Sequence, residues 1–65
     1  MLFKKGDKVW IERTEFVENV DLIRYVQVVE SVAHVPTEDE PDSQMIHIVG
    51  SDYIYSNDDL KKDET

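Results

Sequence analysis

No cysteine occurs in the 65-residue chain. That excludes a disulfide framework and any thiolate metal site. A small secreted domain ordinarily carries such staples, so their lack favours a reducing compartment, the cytoplasm. Long apolar runs are missing too. Met1-Leu2-Phe3 gives way at once to Lys4-Lys5, and no segment reaches the length of a secretory signal or a membrane span. Repeats and linkers are absent, and the length allows one domain with a modest core, residues 1–65.

The most informative absence is of basic residues. Between Tyr25 and Leu60 there is no lysine or arginine, while Glu30, Glu38, Asp39, Glu40, Asp42, Asp52, Asp58 and Asp59 all fall there. Acids and bases cancel in the two flanks, so the whole formal charge of -8 sits in this stretch. Such a surface repels nucleic acid, whose binding rests on neutralising phosphates, and attracts basic partners.

The apolar residues that remain are mostly Val, Ile, Tyr, Phe and Trp, which favour strands. Lys4 to Asp7 reads as a turn, with Gly6 free to take a positive φ. A strand follows from Lys8 to Arg13 with Val9 and Ile11 inward and Trp10 on the other face, partly exposed. Arg24 to Val35 is the strongest strand signal, and its alternation slips at Val28-Val29, which indicates a bulge or bend. Pro36 to Ser43 holds two prolines, four acids and no apolar residue, and reads as a solvated loop. Gln44 to Val49 is a strand stopped by Gly50-Ser51, and Asp52 to Ser56 is its hairpin partner or its continuation. Ser56 to Asp59 is a turn or a single helical turn, Leu60 returns to the core, and Lys61 to Thr65 is a frayed polar tail. Thr14 to Ile23 stays open: Phe16, Val17, Val20 and Ile23 fit a helical face capped by Thr14, while Glu18-Asn19 could turn a hairpin. The fold class is therefore mainly β: a small barrel or a strongly bent antiparallel sheet of four to five strands, with room for one short helix. The expected core is Val9, Ile11, Val26, Val28, Ile46, Ile48, Ile54 and Leu60.

Three pieces, Gly6-Asp7-Lys8-Val9-Trp10-Ile11, the long bent valine-rich strand, and Tyr53-Ile54-Tyr55 followed by Ser56-Asn57-Asp58-Asp59-Leu60, together resemble small SH3-like barrels of the KOW and Tudor type. The resemblance implies a single barrel that binds RNA or basic protein partners and implies no catalytic residues. The basic surface with which such modules meet RNA is missing.

Chemistry beyond binding has little footing. Ser31 with His34 and Ser43 with His47 are close in sequence, but residues three apart on a strand face opposite sides, and surface polar positions explain both pairs. No spacing fits zinc, the calcium-loop pattern is absent from Thr37 to Gln44, and no cofactor or enzymatic activity is expected. Tyr53, Tyr55 and Trp10 resemble a stacking platform, yet the nearby acids oppose phosphate. The candidate partner-binding residues are Glu38, Asp39, Glu40, Asp42, Asp52, Tyr53, Tyr55, Asp58 and Asp59. In a globule about 28 Å across, the net charge approaches one per ~3.5 Å, near the density of a nucleic-acid strand. Small, acidic, cysteine-free chains of this type resemble phage- or mobile-element-encoded inhibitors of nucleic-acid enzymes. The expected function is a small acidic protein-binding domain, a DNA-mimic-type inhibitor of a basic, nucleic-acid-binding protein, with no direct nucleic-acid or membrane partner. The alternative is an SH3-like adaptor or accessory subunit that holds a peptide or protein without mimicry.

Overall fold

The computed structural model describes every residue except Met1, Phe16, Glu18 and Thr65. The turn at Lys4–Asp7 sets the start of the first strand. Gly6 takes φ 90°, a region strained for any residue with a side chain, and the Asp7 carboxylate accepts the Lys4 N–H at 2.9 Å. Strand β1 (Lys8–Ile11) follows. A single helical turn, α1 (Asp21–Arg24), precedes the long strand β2 (Gln27–His34). Then come β3 (Gln44–Ile48), the short β4 (Ile54–Tyr55), a 3₁₀ turn (Asn57–Asp59) and β5 (Leu60–Lys62).

These strands form one antiparallel sheet in the order β4-β3-β2-β1-β5, with β4 and β5 at its open edges. The first residues of β2 pair with β1 and the remainder with β3, so β2 joins the two halves of the sheet. Its register slips between Val29 and Ser31. This is the irregularity expected from the broken alternation, and its effect is to decide which valines point inward. Val29 is buried, whereas Val28, directly opposite Lys8, faces out.

The core is Phe3, Val9, Ile11, Leu22, Val29, Ile46, Ile48, Tyr55 and Leu60. Five of the eight expected core residues are there, namely Val9, Ile11, Ile46, Ile48 and Leu60. Val26 is only half-buried, and Val28 and Ile54 are exposed. The Ile54 error comes from the register of β4 on β3. Tyr55 pairs with inward-facing Ile46, and Ile54 pairs with His47 on the other face, so Tyr55 is 1% exposed and Ile54 41%. Trp10 lies on the outer face, 37% exposed, as its position on β1 requires.

Between Thr14 and Ile23 no hairpin strand forms among the described residues. Residues 21–24 instead make the one short helix, started by Asn19, whose Oδ1 accepts the Asp21 N–H at 2.9 Å. Leu22 turns into the core, while Val20 is exposed, so the helical face is not the one expected. Phe16 and Glu18, which figured in the two alternatives, lie outside the described residues. The expected tail gives way at Lys61 and Lys62, which belong to β5 and pair with Trp10 and Val9. The ladder extends to Asp63, whose N–H donates to the Lys8 carbonyl at 2.9 Å. Among the described residues no helix is long and apolar enough to cross a membrane.

Paired substitutions separate the two faces. Ile48→Ala should cost about 2–4 kcal/mol through lost burial and a cavity. Ile54→Ala, on the neighbouring strand but the opposite face of the sheet, should change stability by no more than about 0.5 kcal/mol. Urea unfolding of both variants checks the assignment; equal losses would contradict it.

Candidate functional site

Two amides tie the acidic loop 36–43 to the 3₁₀ turn that carries Asp58. Gln44 opens β3 on the same side as Ile46 and Ile48, so period two carries its polar side chain into the core, where it is 2% exposed. A buried amide is costly unless bonded. Here Nε2 donates to the Phe3 carbonyl at 2.9 Å and Oε1 accepts the Phe3 N–H at 2.9 Å. The side chain thus pairs with the Phe3 backbone as a neighbouring strand would. Oε1 also accepts from Asn57 Nδ2 at 2.8 Å, and the Gln44 N–H donates to Asn57 Oδ1 at 2.7 Å. Asn57 Nδ2 reaches further, to the Asp42 carbonyl at 3.1 Å.

Loop 36–43 is therefore tied to the 3₁₀ turn. The loop has bonds of its own: Val35 N–H to the Ser43 carbonyl at 3.0 Å, Ser43 N–H to the Glu40 carbonyl at 3.1 Å, and Glu40 N–H to Thr37 Oγ1 at 2.9 Å. Between loop and turn lies a cleft of about 280 Å³ lined by Glu40, Pro41, Asp42, Ser43, Ser56, Asn57 and Asp58. Acids from two separate segments thus share one end of the molecule. Among the described residues no ion pair occupies Glu38, Asp39, Glu40, Asp42 or Asp58.

The remaining candidate residues are placed elsewhere. Asp59 is buried and works as a cap: its Oδ2 accepts from the Ser56 N–H at 3.0 Å and from Ser56 Oγ at 3.2 Å, while Oδ1 lies 3.6 Å from Arg13 Nη1. Its carbonyl accepts from Glu12 and Arg13 at 2.9 and 3.3 Å, so it fastens β5 to the end of β1. Tyr55 belongs to the core and presents no ring to a partner. Tyr53 is half-buried and packs edge-on against it, with ring centroids 4.9 Å apart. Asp52 and Tyr53 follow the far end of β3, roughly 14 Å along the strand from Gln44. The acidic end therefore has no tyrosines beside it, and a stacking platform of Trp10, Tyr53 and Tyr55 does not assemble.

Other chemistry finds little support. The register sets Ser31 opposite His47, a pairing that sequence distance hid; Ser31 stands with Ile54 and Met45 on the open face of the sheet. Among the described residues no group of three potential ligands is placed to hold a metal ion. A second groove, about 490 Å³, is lined by Trp10, Lys61, Lys62, Asp63 and Glu64. Its charges balance, and Trp10 Nε1 donates to Asp63 Oδ1 at 3.4 Å.

The residues that build the site, Gln44 and Asn57, were absent from the sequence-based set. Gln44→Leu keeps the volume but leaves the Phe3 N–H and carbonyl unpaired; it should cost about 2–4 kcal/mol in urea unfolding. A loss no larger than that of an exposed substitution would contradict the network. Excess chelator should leave the thermal midpoint unchanged, and a large drop would reveal a bound metal. Compared with known proteins, the chain matches no family model, no curated protein and no solved structure.

Proposed function

We propose that the chain is a small acidic protein-binding domain whose loop-and-turn end docks into a positively charged groove on a nucleic-acid-binding protein and blocks it. The observation that carries this reading is the shared cleft: Glu40 and Asp42 from one segment and Asp58 from another stand together, with no cationic side chain of the described residues among those that line it. Free carboxylates at one end steer a basic partner and raise the association rate. A phage- or mobile-element-encoded inhibitor would use such a surface in this way.

The fold side of the proposal is an SH3-like barrel of the KOW or Tudor type. Supporting it, each piece that carries the resemblance falls on a discrete element: the Gly6 turn into β1, the bulged β2, and β4 leading through the 3₁₀ turn into β5. Close mimicry of duplex geometry draws less support. The long axis is 35 Å, longer than the ~28 Å of a sphere of this chain length, and Asp59 is withdrawn from the surface, so the charge per length falls below that of a nucleic-acid strand.

A second reading, the adaptor, is favoured by a different observation. Val28, Met45 and Ile54 project from the open face of the sheet, with Val49 just beyond β3. Exposed apolar side chains grouped on one face suit a peptide or protein contact that salt hardly affects.

The two readings separate by salt. Neutralising Asp39, Glu40, Asp42 and Asp58 together should weaken capture of a basic partner strongly at low salt, mainly through the on-rate, and duplex DNA should compete. Any single neutralisation should matter little, since an exposed pair is worth about 0–1 kcal/mol. Affinity for the captured partner at low and high salt is the measurement. Equal low-salt binding by wild type and the fourfold variant would discard the acidic reading in favour of the adaptor.

A further inference from the structure

One edge of β2 is covered over only part of its length. Val29 is the last residue covered: its N–H donates to the Asp7 carbonyl and its carbonyl accepts the Gly6 N–H, both at 2.9 Å. Beyond it the chain stays extended to Val35, whose N–H donates to the Ser43 carbonyl on the β3 side at 3.0 Å. Antiparallel bonding alternates along a strand. Ser31, Ala33 and Val35 therefore direct their backbone groups to β3, and Val32 and His34 direct theirs away from it. Among the described residues no hydrogen bond reaches Val32 or His34 on that side. A bare edge of this kind pairs with another strand unless lysine, proline or shortness protects it. The outer strands are protected: β4 has two residues, and β5 has three, of which two are lysines. Residues 31–35 contain neither lysine nor proline.

Charge at the two ends of this free edge selects its neighbour. At one end stands the 4–7 turn, where Lys4 and Lys5 are exposed and enter no ion pair among the described residues. At the other end loop 36–43 begins, with Glu38 and Asp39 exposed. A strand laid antiparallel along the edge brings its own C-terminal flank to the lysine turn. In a second copy of β2 that flank is acidic, and a two-fold axis repeats the match at the other end. Length fits as well. With Ala33 opposite its own copy across the axis, Val32 of each chain exchanges bonds with His34 of the other. Pro36 of each chain then arrives where the Gly6 turn closes the edge of its mate, so the ladder fills residues 31–35 and stops.

We infer that two copies of the chain pair antiparallel along residues 31–35 of β2, joining two five-stranded sheets into one, with each Lys4-Lys5 turn against the acidic loop of the other copy. This goes beyond the partner-binding reading above and does not depend on it. Sedimentation equilibrium of the full chain over a range of concentrations at low salt tests it. Wild type should approach the mass of two chains and no more, because isologous pairing closes on itself. Ala33→Lys sets like charges face to face at the axis and should raise the dimer dissociation constant at least about tenfold. Lys4→Glu/Lys5→Glu and Glu38→Lys/Asp39→Lys should each stay monomeric alone and dimerise when mixed, since each supplies the charge the other lacks. A wild type that is monomeric at every concentration leaves the edge to a strand of another protein and overturns the inference. A dimer that Ala33→Lys leaves intact, a larger assembly, or a mixture that stays monomeric overturns it as well. If a variant does not fold, hydrogen exchange of the wild type decides. The Val32 and His34 amides should gain protection as protein concentration rises, while the Val35 amide is protected throughout. Exchange of Val32 and His34 that is the same at low and high concentration overturns the pairing.

Discussion

The buried side chain of Gln44 is the constraint on which the rest depends. The sheet is open, with β4 and β5 unpaired to each other, and a small open sheet leaves its core accessible at the gap. Phe3 fills that place. Its ring is buried, Lys62 Nζ stands 5.8 Å from the ring centroid, and its backbone is held at both polar atoms by Gln44. A neutral amide suits this role: it offers a donor and an acceptor in one plane, spaced as a peptide is, and it brings no charge into the core. Because both ends are satisfied, a polar group that would otherwise destabilise the core becomes a specific cross-link between segments far apart in sequence.

The same amide determines what the surface can do. Gln44 Oε1 also receives Asn57, and Asn57 reaches the loop at Asp42. The acidic end is accordingly an extension of the core's hydrogen bonding rather than a loose charged loop. Eight acids in the basic-free stretch do not act as one group. Asp59 is consumed by the cap of the 3₁₀ turn and by Arg13. Asp52 lies at the opposite end of β3. Glu30 stands apart on β2, and the rest belong to loop 36–43 or the 3₁₀ turn, with Glu40, Asp42 and Asp58 lining one cleft and no ion pair to them among the described residues. That division between structural and available carboxylates follows from hydrogen bonding, not from charge count.

Much of the fold was legible in the sequence, and the misses share one physical origin. Strand existence followed from β-branched and aromatic residues, and the slipped alternation at Val28-Val29 announced the bulge. Which residue of a pair faces inward could not be read off, because the phase of a strand is set by its register with its neighbour. Val29 pairs with inward-facing Ile48 and Tyr55 with inward-facing Ile46, so these, rather than Val28 and Ile54, enter the core. Phe3 was missing from the expected core because its partner, Gln44, is distant in the chain. Two signals were nonetheless available. Gln44 stands in phase with Ile46 and Ile48, which marks a polar residue in an inward position. Ser56-x-x-Asp59 has the spacing of a capping box, which would have assigned Asp59 to structure instead of to a partner. Asn57 had no such mark, since its role depends on two segments meeting.

The central claim is that Gln44 binds the N-terminal segment into the core as firmly as a strand would. Native-state hydrogen exchange of the Phe3 amide tests it most directly. The account predicts that the Phe3 N–H exchanges only with global unfolding, with the same free energy as the amides of Ile46 and Ile48. Exchange of Phe3 at the rate of a fraying terminus, while Ile46 and Ile48 stay protected, would contradict it.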